Sequence, residues 1–162
     1  MTGLVASPMF LREAELRRGW ELLLLGAGAL QRAADPVLAE AGLGRAHHRA
    51  LYFIGRRPGL SVSLLLRLLG VTKQSLGRTL GELDARGLIE SGTNDEDRRQ
   101  RLLKLSVSGR ELERRLFEAV AERLRAAYGN AGQEAVSGYW QVLDQLLPLA
   151  TRGMRAELER GV

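Results

Sequence analysis

The sequence predicts a mainly α-helical domain carrying one small β-hairpin, and three observations support this. Apolar residues recur at helical spacing through most of the 162 residues. Two short helical segments flank a tight turn at Gly70, a helix-turn-helix arrangement. Residues 88–106 break the helical period, with short apolar runs on either side of a polar stretch, as in a hairpin.

Residues 9–33 form the first predicted helix, with Leu16, Trp20, Leu23, Leu24 and Ala27 at helical spacing. Asp35-Pro36 resembles an N-cap followed by a first-turn proline, so a short helical piece should follow and stop at Gly42 or Gly44. Residues 45–56 give a third helix with Ala50, Leu51 and Ile54 inward, and Arg57-Pro58-Gly59 is a turn. Ser61 caps a helix through Leu69, with Gly70 at its left-handed end. Thr72 caps the next helix, 73–86, which Gly87 ends.

Residues 88–90 and 101–105 are the two predicted strands, joined by a polar loop at 91–100. Ser108 and Glu111 have the spacing of a capping box, with Ser108 at N-cap. The helix it opens carries Leu112, Leu116, Val120 and Leu124 in one stripe, and 129–132 should break it. A last helix, 133–149, carries Val136, Tyr139, Trp140, Leu143, Leu146 and Leu147, and 151–162 should fray.

Composition narrows the function. Lys plus Arg number 24 against 19 Asp plus Glu, a formal charge of +5 that suits a polyanionic partner. With no cysteine, the chain has no disulfide, thiol redox sensor or cysteine metal site. The apolar run 22–30 is too short to span a bilayer and lacks a signal-peptide flank, so a cytoplasmic protein without a membrane partner is expected.

The functional candidates cluster in two places. On the helix 73–86, Leu76, Leu80 and Leu83 form an inward face with Thr79 beside them, while Gln74, Arg78, Gly81 and Ala85 lie opposite, flanked by Ser75 and Gly77. Gln74 suits adenine and Arg78 suits guanine or phosphate. Thr72, Lys73 and Ser75 sit near a helix N-terminus, where hydroxyls and free N–H groups favour phosphate. Gly77 and Gly81 either permit close approach to DNA or reflect drift or packing against the hairpin. The second cluster is the hairpin run Asp97, Arg98, Arg99 and Arg101. A carboxylate at 97 can orient the Arg99 guanidinium in advance, which suits insertion into a minor groove.

The hairpin pattern of Asp97, Arg99, Leu105 and Ser106 closely resembles the wing of the MarR family of winged helix-turn-helix regulators, with Ser106 where threonine is commoner. The resemblance extends over nearly the whole chain. Residues 47–55 with 72–76 are also similar to a proteobacterial subgroup that includes PetP-type regulators. It implies one domain over 1–162, a winged helix-turn-helix DNA-binding region at 45–106, and mainly dimerisation helices at 9–41 and 109–150. The surplus apolar surface of Trp20, Leu23, Leu24, Tyr139, Trp140, Leu143 and Leu147 points the same way, since it needs a partner. The implied function is a homodimeric regulator, by family default a repressor with activation as the alternative: a recognition helix in the major groove, a wing arginine in the minor groove, a pseudo-palindromic operator in double-stranded DNA. A small aromatic or anionic effector is also implied, with Trp20, His47, His48 and Tyr52 as pocket candidates.

Other readings remain open. His47-His48 could serve haem or metal, or sense pH, but neighbouring helical side chains diverge by about 100° and no cysteine or acidic triad accompanies them, so helix-start or pocket roles are favoured and no metal or other cofactor is assigned. Asp95-Glu96-Asp97 is followed at once by arginines, which favours internal ion pairs over a cation site. No phosphate loop, zinc spacing or serine elbow is present, so no catalytic residue is assigned and a non-enzyme is expected. The competing classes are a small-molecule or haem sensor and a winged-helix protein-interaction module without operator binding.

Overall fold

The computed structural model describes residues 8–93 and 100–159. A 3₁₀ turn, Pro8–Leu11, precedes α1 (Glu13–Ala33), α2 (Asp35–Glu40) and α3 (Arg45–Arg56). Strand β1 (Leu60–Ser61) leads into α4 (Val62–Leu69) and α5 (Lys73–Ala85), and β2 (Ile89–Thr93) with β3 (Arg101–Leu105) forms the hairpin. Helices α6 (Val107–Ala131), α7 (Gln133–Leu146) and α8 (Leu149–Glu159) complete the described chain.

The central helices follow the local chemistry of the sequence. Ser61 Oγ accepts the Leu64 N–H at 3.2 Å and opens α4, and Gly70 ends it in the left-handed region at φ 60°. Thr72 Oγ1 does the same for Ser75 N–H at 3.2 Å and opens α5. The predicted inward face of α5, Leu76, Thr79, Leu80 and Leu83, is buried. It packs into one core with Leu51, Ile54, Leu65, Leu103 and Leu116, so α3, α4, α5, the sheet and the first half of α6 share a single apolar interior.

Tertiary structure changes the expectation in several places. The sheet has three strands rather than two, in the order β1-β3-β2 and antiparallel throughout. Leu60 pairs with Leu103, which turns the segment after Arg57-Pro58-Gly59 into a strand that covers the far edge of β3. Strand β2 also runs to Thr93, opposite Arg101, because the ladder extends beyond the apolar residues. Asp35 is not an N-cap. Ala34 is already helical (φ −87°, ψ −11°), so α2 continues almost directly from α1. The Asp35 carboxylate instead takes Arg45 Nε at 3.1 Å and NH2 at 2.8 Å, tying α2 to the start of α3. This bond to Arg45 holds the Asp35 carboxyl below its usual range, against a smaller opposing effect of burial.

The capping box at Ser108 is likewise replaced. Ser106 is the N-cap of α6, its Oγ accepting the Gly109 N–H at 3.0 Å and donating to Gly87 O at 2.7 Å. Ser108 Oγ donates to the same carbonyl at 3.1 Å. The helix starts early because the Ser106 N–H already bonds Leu88 O at 3.1 Å, which leaves no room for a linker after β3. At the other end α6 continues through Gly129 and stops only at Gly132, whose φ of 85° a helix cannot accommodate.

The segment expected to fray is helical over Leu149–Glu159. Leu158 is buried in the core cluster and Met154 packs beside it, with α8 lying on α4. Arg57 NH1 fastens this helix through Glu157 O at 3.4 Å and Glu157 Oε2 at 3.3 Å. Among the described residues, no helix is long and apolar enough to cross a membrane.

Candidate nucleic-acid interface

Helix α5 presents an unobstructed outer face. Thr72, Lys73, Gln74, Ser75 and Arg78 are all exposed, and no acidic residue lies in the first turn. The first-turn N–H groups therefore combine with Lys73 into a positive end, unopposed by a carboxylate there. The Thr72 hydroxyl accepts from Ser75 N–H, which leaves its proton available to an outside acceptor. Gly77 and Gly81 have no described atom within 4 Å of an added Cβ, so packing against described neighbours does not account for either glycine.

Arg78 is held at one end only. Its side chain is 84% exposed, and Nε donates to Glu82 Oε1 at 3.0 Å. The other carboxylate oxygen, Glu82 Oε2, lies 2.7 Å from His47 Nε2. His47 Nδ1 accepts the Gly44 N–H at 3.0 Å, closing the N-terminus of α3, so the ring proton sits on Nε2 and is donated to Glu82. The hydrogen bonds from Arg78 and then His47 hold the Glu82 carboxyl below its usual range. At the far end of α5, Arg86 donates to Ala41 O at 2.6 Å and Gly42 O at 3.0 Å. Two side-chain brackets thus fasten α5 to the α2–α3 region.

In the hairpin, Arg101 is exposed at the start of β3. Its Nε and NH2 donate to Ser91 Oγ at 2.9 and 2.7 Å. Lys104 and Glu90 form an exposed ion pair at 2.8 Å across the same two strands. Asp97, Arg98 and Arg99 lie outside the described residues, as does their proposed pairing.

The four pocket candidates have different surroundings. Trp20 is 60% exposed on α1. His47 is engaged through both ring nitrogens with Glu82 and Gly44. His48, the next residue, is half-buried, and burial lowers its pKa below the ordinary value against a weaker opposing pull from Asp35. Tyr52 meets Phe53 edge-on and Phe117 at a tilt, ring centres 5.4 and 6.0 Å away. No described group of three or more His, Cys, Asp or Glu residues could hold a metal ion.

Helices α1 and α7 contain no buried residue. Leu16, Trp20 and Leu24 repeat along α1, and Tyr139, Val142 and Leu146 along α7, all exposed. Such large apolar faces are unusual on an isolated soluble chain.

A helix-turn-helix followed by a β-hairpin wing that a third, preceding strand completes into a sheet, framed by long terminal helices, defines a winged-helix regulator. The chain belongs to the MarR family of transcriptional regulators: the MarR family model matches residues 41–100, which contain α3, α4 and α5. It is 45% identical over 144 residues to the HTH-type transcriptional regulator PetP of Rhodobacter capsulatus, covering 89% of this chain and 87% of that one. Its fold resembles NadR in complex with 4-hydroxyphenylacetate (TM-score 0.70, 23% identity, 90% of this chain and 96% of that one). A mutant MarR from E. coli complexed with operator DNA is also similar (TM-score 0.65, 22% identity, 83% and 96% covered).

Sequence reasoning missed Glu82; of its two readings for His47, a helix-start or a pocket role, the helix-start role is present, while the bond to Glu82 was not foreseen. The spacing of Arg78 and Glu82, four apart on one helix, was the available signal for the first. The link to His47, 35 residues earlier, becomes visible only in the folded chain.

Proposed function

We propose that this protein is a homodimeric DNA-binding repressor that inserts α5 into the major groove of each half of a pseudo-palindromic operator. The single observation that carries the reading is the outer face of α5, where Thr72, Lys73, Gln74, Ser75 and Arg78 are exposed beside an N-terminus free of acidic residues. The 45% identity to a named transcriptional regulator supports it. The exposed faces of α1 and α7 supply the surface a second copy would cover, with 9–41 and 109–150 as dimerisation segments and 45–106 as the DNA-binding region. Two-fold symmetry would set the two α5 helices about one DNA turn, ~34–36 Å, apart. The wing residues Arg98, Arg99 and Arg101 would add minor-groove and phosphate contacts, with Asp97 orienting Arg99.

Duplex selection from a random pool, followed by titration at two salt concentrations, tests this reading. Affinity for the selected duplex should fall steeply as salt rises, because docking releases counterions. Light scattering at micromolar concentration should give a dimer mass. On the same duplex Arg99→Ala should cost about 1–3 kcal/mol. A monomer with no salt-dependent duplex binding would refute the proposal and favour a protein-interaction module.

The effector proposed with this reading is a small aromatic anion. It draws on NadR, a protein of like fold solved with 4-hydroxyphenylacetate, and on the half-buried His48 and the aromatic Tyr52 of α3, with the exposed Trp20 of α1 as a further candidate. Calorimetric titration with 4-hydroxyphenylacetate, repeated on His48→Gln and Tyr52→Ala, tests it. No heat at millimolar ligand would remove that compound as an effector.

A further inference from the structure

The bonds around Arg78 form a directed chain. Gly44 N–H donates to His47 Nδ1, His47 Nε2–H donates to one oxygen of Glu82, and the other oxygen receives Arg78 Nε. Arg78 is the only link with a largely exposed side chain: His47 is 12% exposed and Glu82 42%, against 84% for Arg78. The carboxylate engages only Nε, and the two terminal nitrogens of Arg78 bond no described residue. Those nitrogens form the fork that grips a guanine edge or a phosphate.

An exposed pair four residues apart contributes little by itself, and arginine before glutamate is the weaker order on a helix. What distinguishes this pair is the third member. His47 belongs to α3, a different helix, and fixes the Glu82 rotamer from outside α5. Glu82 therefore does not have to lose its own freedom when Arg78 docks.

Resting on the DNA-binding reading above, we infer that Glu82, held by His47, is a positioning residue that presents the terminal nitrogens of Arg78 to the DNA. Pre-aiming removes part of the ordering cost that a free arginine would meet on docking. The His47-Glu82 bracket also couples the direction of Arg78 to the seat of α5 on α3.

The test is a double-mutant cycle on the intact protein, using a duplex selected from a random pool by the wild type. Glu82→Ala removes both acceptors and keeps a strong helix former. His47→Gln keeps a side chain able to close the α3 N-terminus at the third helical position while withdrawing the ring from Glu82. Each change should weaken binding to the selected duplex by roughly 2–10-fold, the span that ordering one long side chain allows. Each should relax discrimination at the same base pair that Arg78→Ala relaxes. In an Arg78→Ala background neither should weaken binding further. Affinity for an unrelated duplex should stay level or rise, since a negative charge is lost in one variant.

Tighter binding of Glu82→Ala to the selected duplex would overturn the inference, because the carboxylate would then be a competitor of DNA. Equal losses with and without Arg78 would overturn it as well, since Glu82 would then act through the fold, and thermal melts of the variants would register that effect. If the wild type selects no duplex, the DNA-binding reading and this inference fall together. If it does select one and the cycle is additive, only the inference fails.

Discussion

Substituting Gly109 by alanine should destabilise the protein, although the change normally strengthens a helix by up to about 1 kcal/mol. Gly109 lies in the first turn of α6 and is buried. A Cβ built there falls 1.9 Å from Leu88 O and 2.9 Å from Leu88 C, against a floor of 3.0 Å for real Cβ contacts. One of the two backbones must move by about an ångström. Leu88 cannot yield easily, since its N–H bonds Leu83 O at 3.0 Å and its carbonyl accepts Ser106 N–H at 3.1 Å. Lifting α6 instead would stretch that second bond and the Ser106 cap on Gly109. Overpacking of this kind costs about 1–3 kcal/mol, and each weakened hydrogen bond adds about 1 kcal/mol. After crediting the helix gain, the net loss should be roughly 2–4 kcal/mol. Urea unfolding monitored by circular dichroism, at fixed protein concentration, measures it. A loss below about 0.5 kcal/mol, or a gain, would show that α6 and the Leu88 backbone do not meet as closely as described.

Three further outcomes follow from the same geometry. Gly77→Ala and Gly81→Ala meet no described atom, so each should stabilise α5 by about 0.5–1 kcal/mol while weakening duplex binding if the bare backbone approaches DNA; stabilisation with unchanged binding would favour drift. Ser106→Ala should cost about 1–2 kcal/mol and Ser108→Ala clearly less, since only Ser106 caps Gly109, and the reverse order in urea melts would contradict the assigned cap. Burial lowers the His48 pKa below 6.5, so between that value and its native one the unfolded chain binds more protons; stability should therefore fall on acidification below about pH 6.5, and His48→Gln should flatten that slope. An NMR midpoint for His48 at or above the ordinary value would reverse this expectation.

Local chemistry made the central helices legible. Ser61, Gly70 and Thr72 act within their own turns, through side chains and dihedral preferences that reach three or four residues, so the boundaries of α4 and the start of α5 could be read from the chain. The inward face of α5 was legible for a similar reason, because helical periodicity alone decides which side is buried. The candidate interface was half legible: the exposed polar residues of α5 could be assigned from the wheel, but not the bracket that aims Arg78.

Tertiary structure decided whatever depended on a partner distant in the chain. β1 is a strand only because Leu103 lies opposite Leu60, and α8 is ordered only because Leu158 and Glu157 reach the core and Arg57, a hundred residues away. Ser106 displaced Ser108 as the cap because Leu88 O held its N–H at the end of the ladder. Short-range dihedral and capping preferences are encoded in adjacent residues, whereas edge pairing, end docking and side-chain brackets exist only once the core has brought remote segments together.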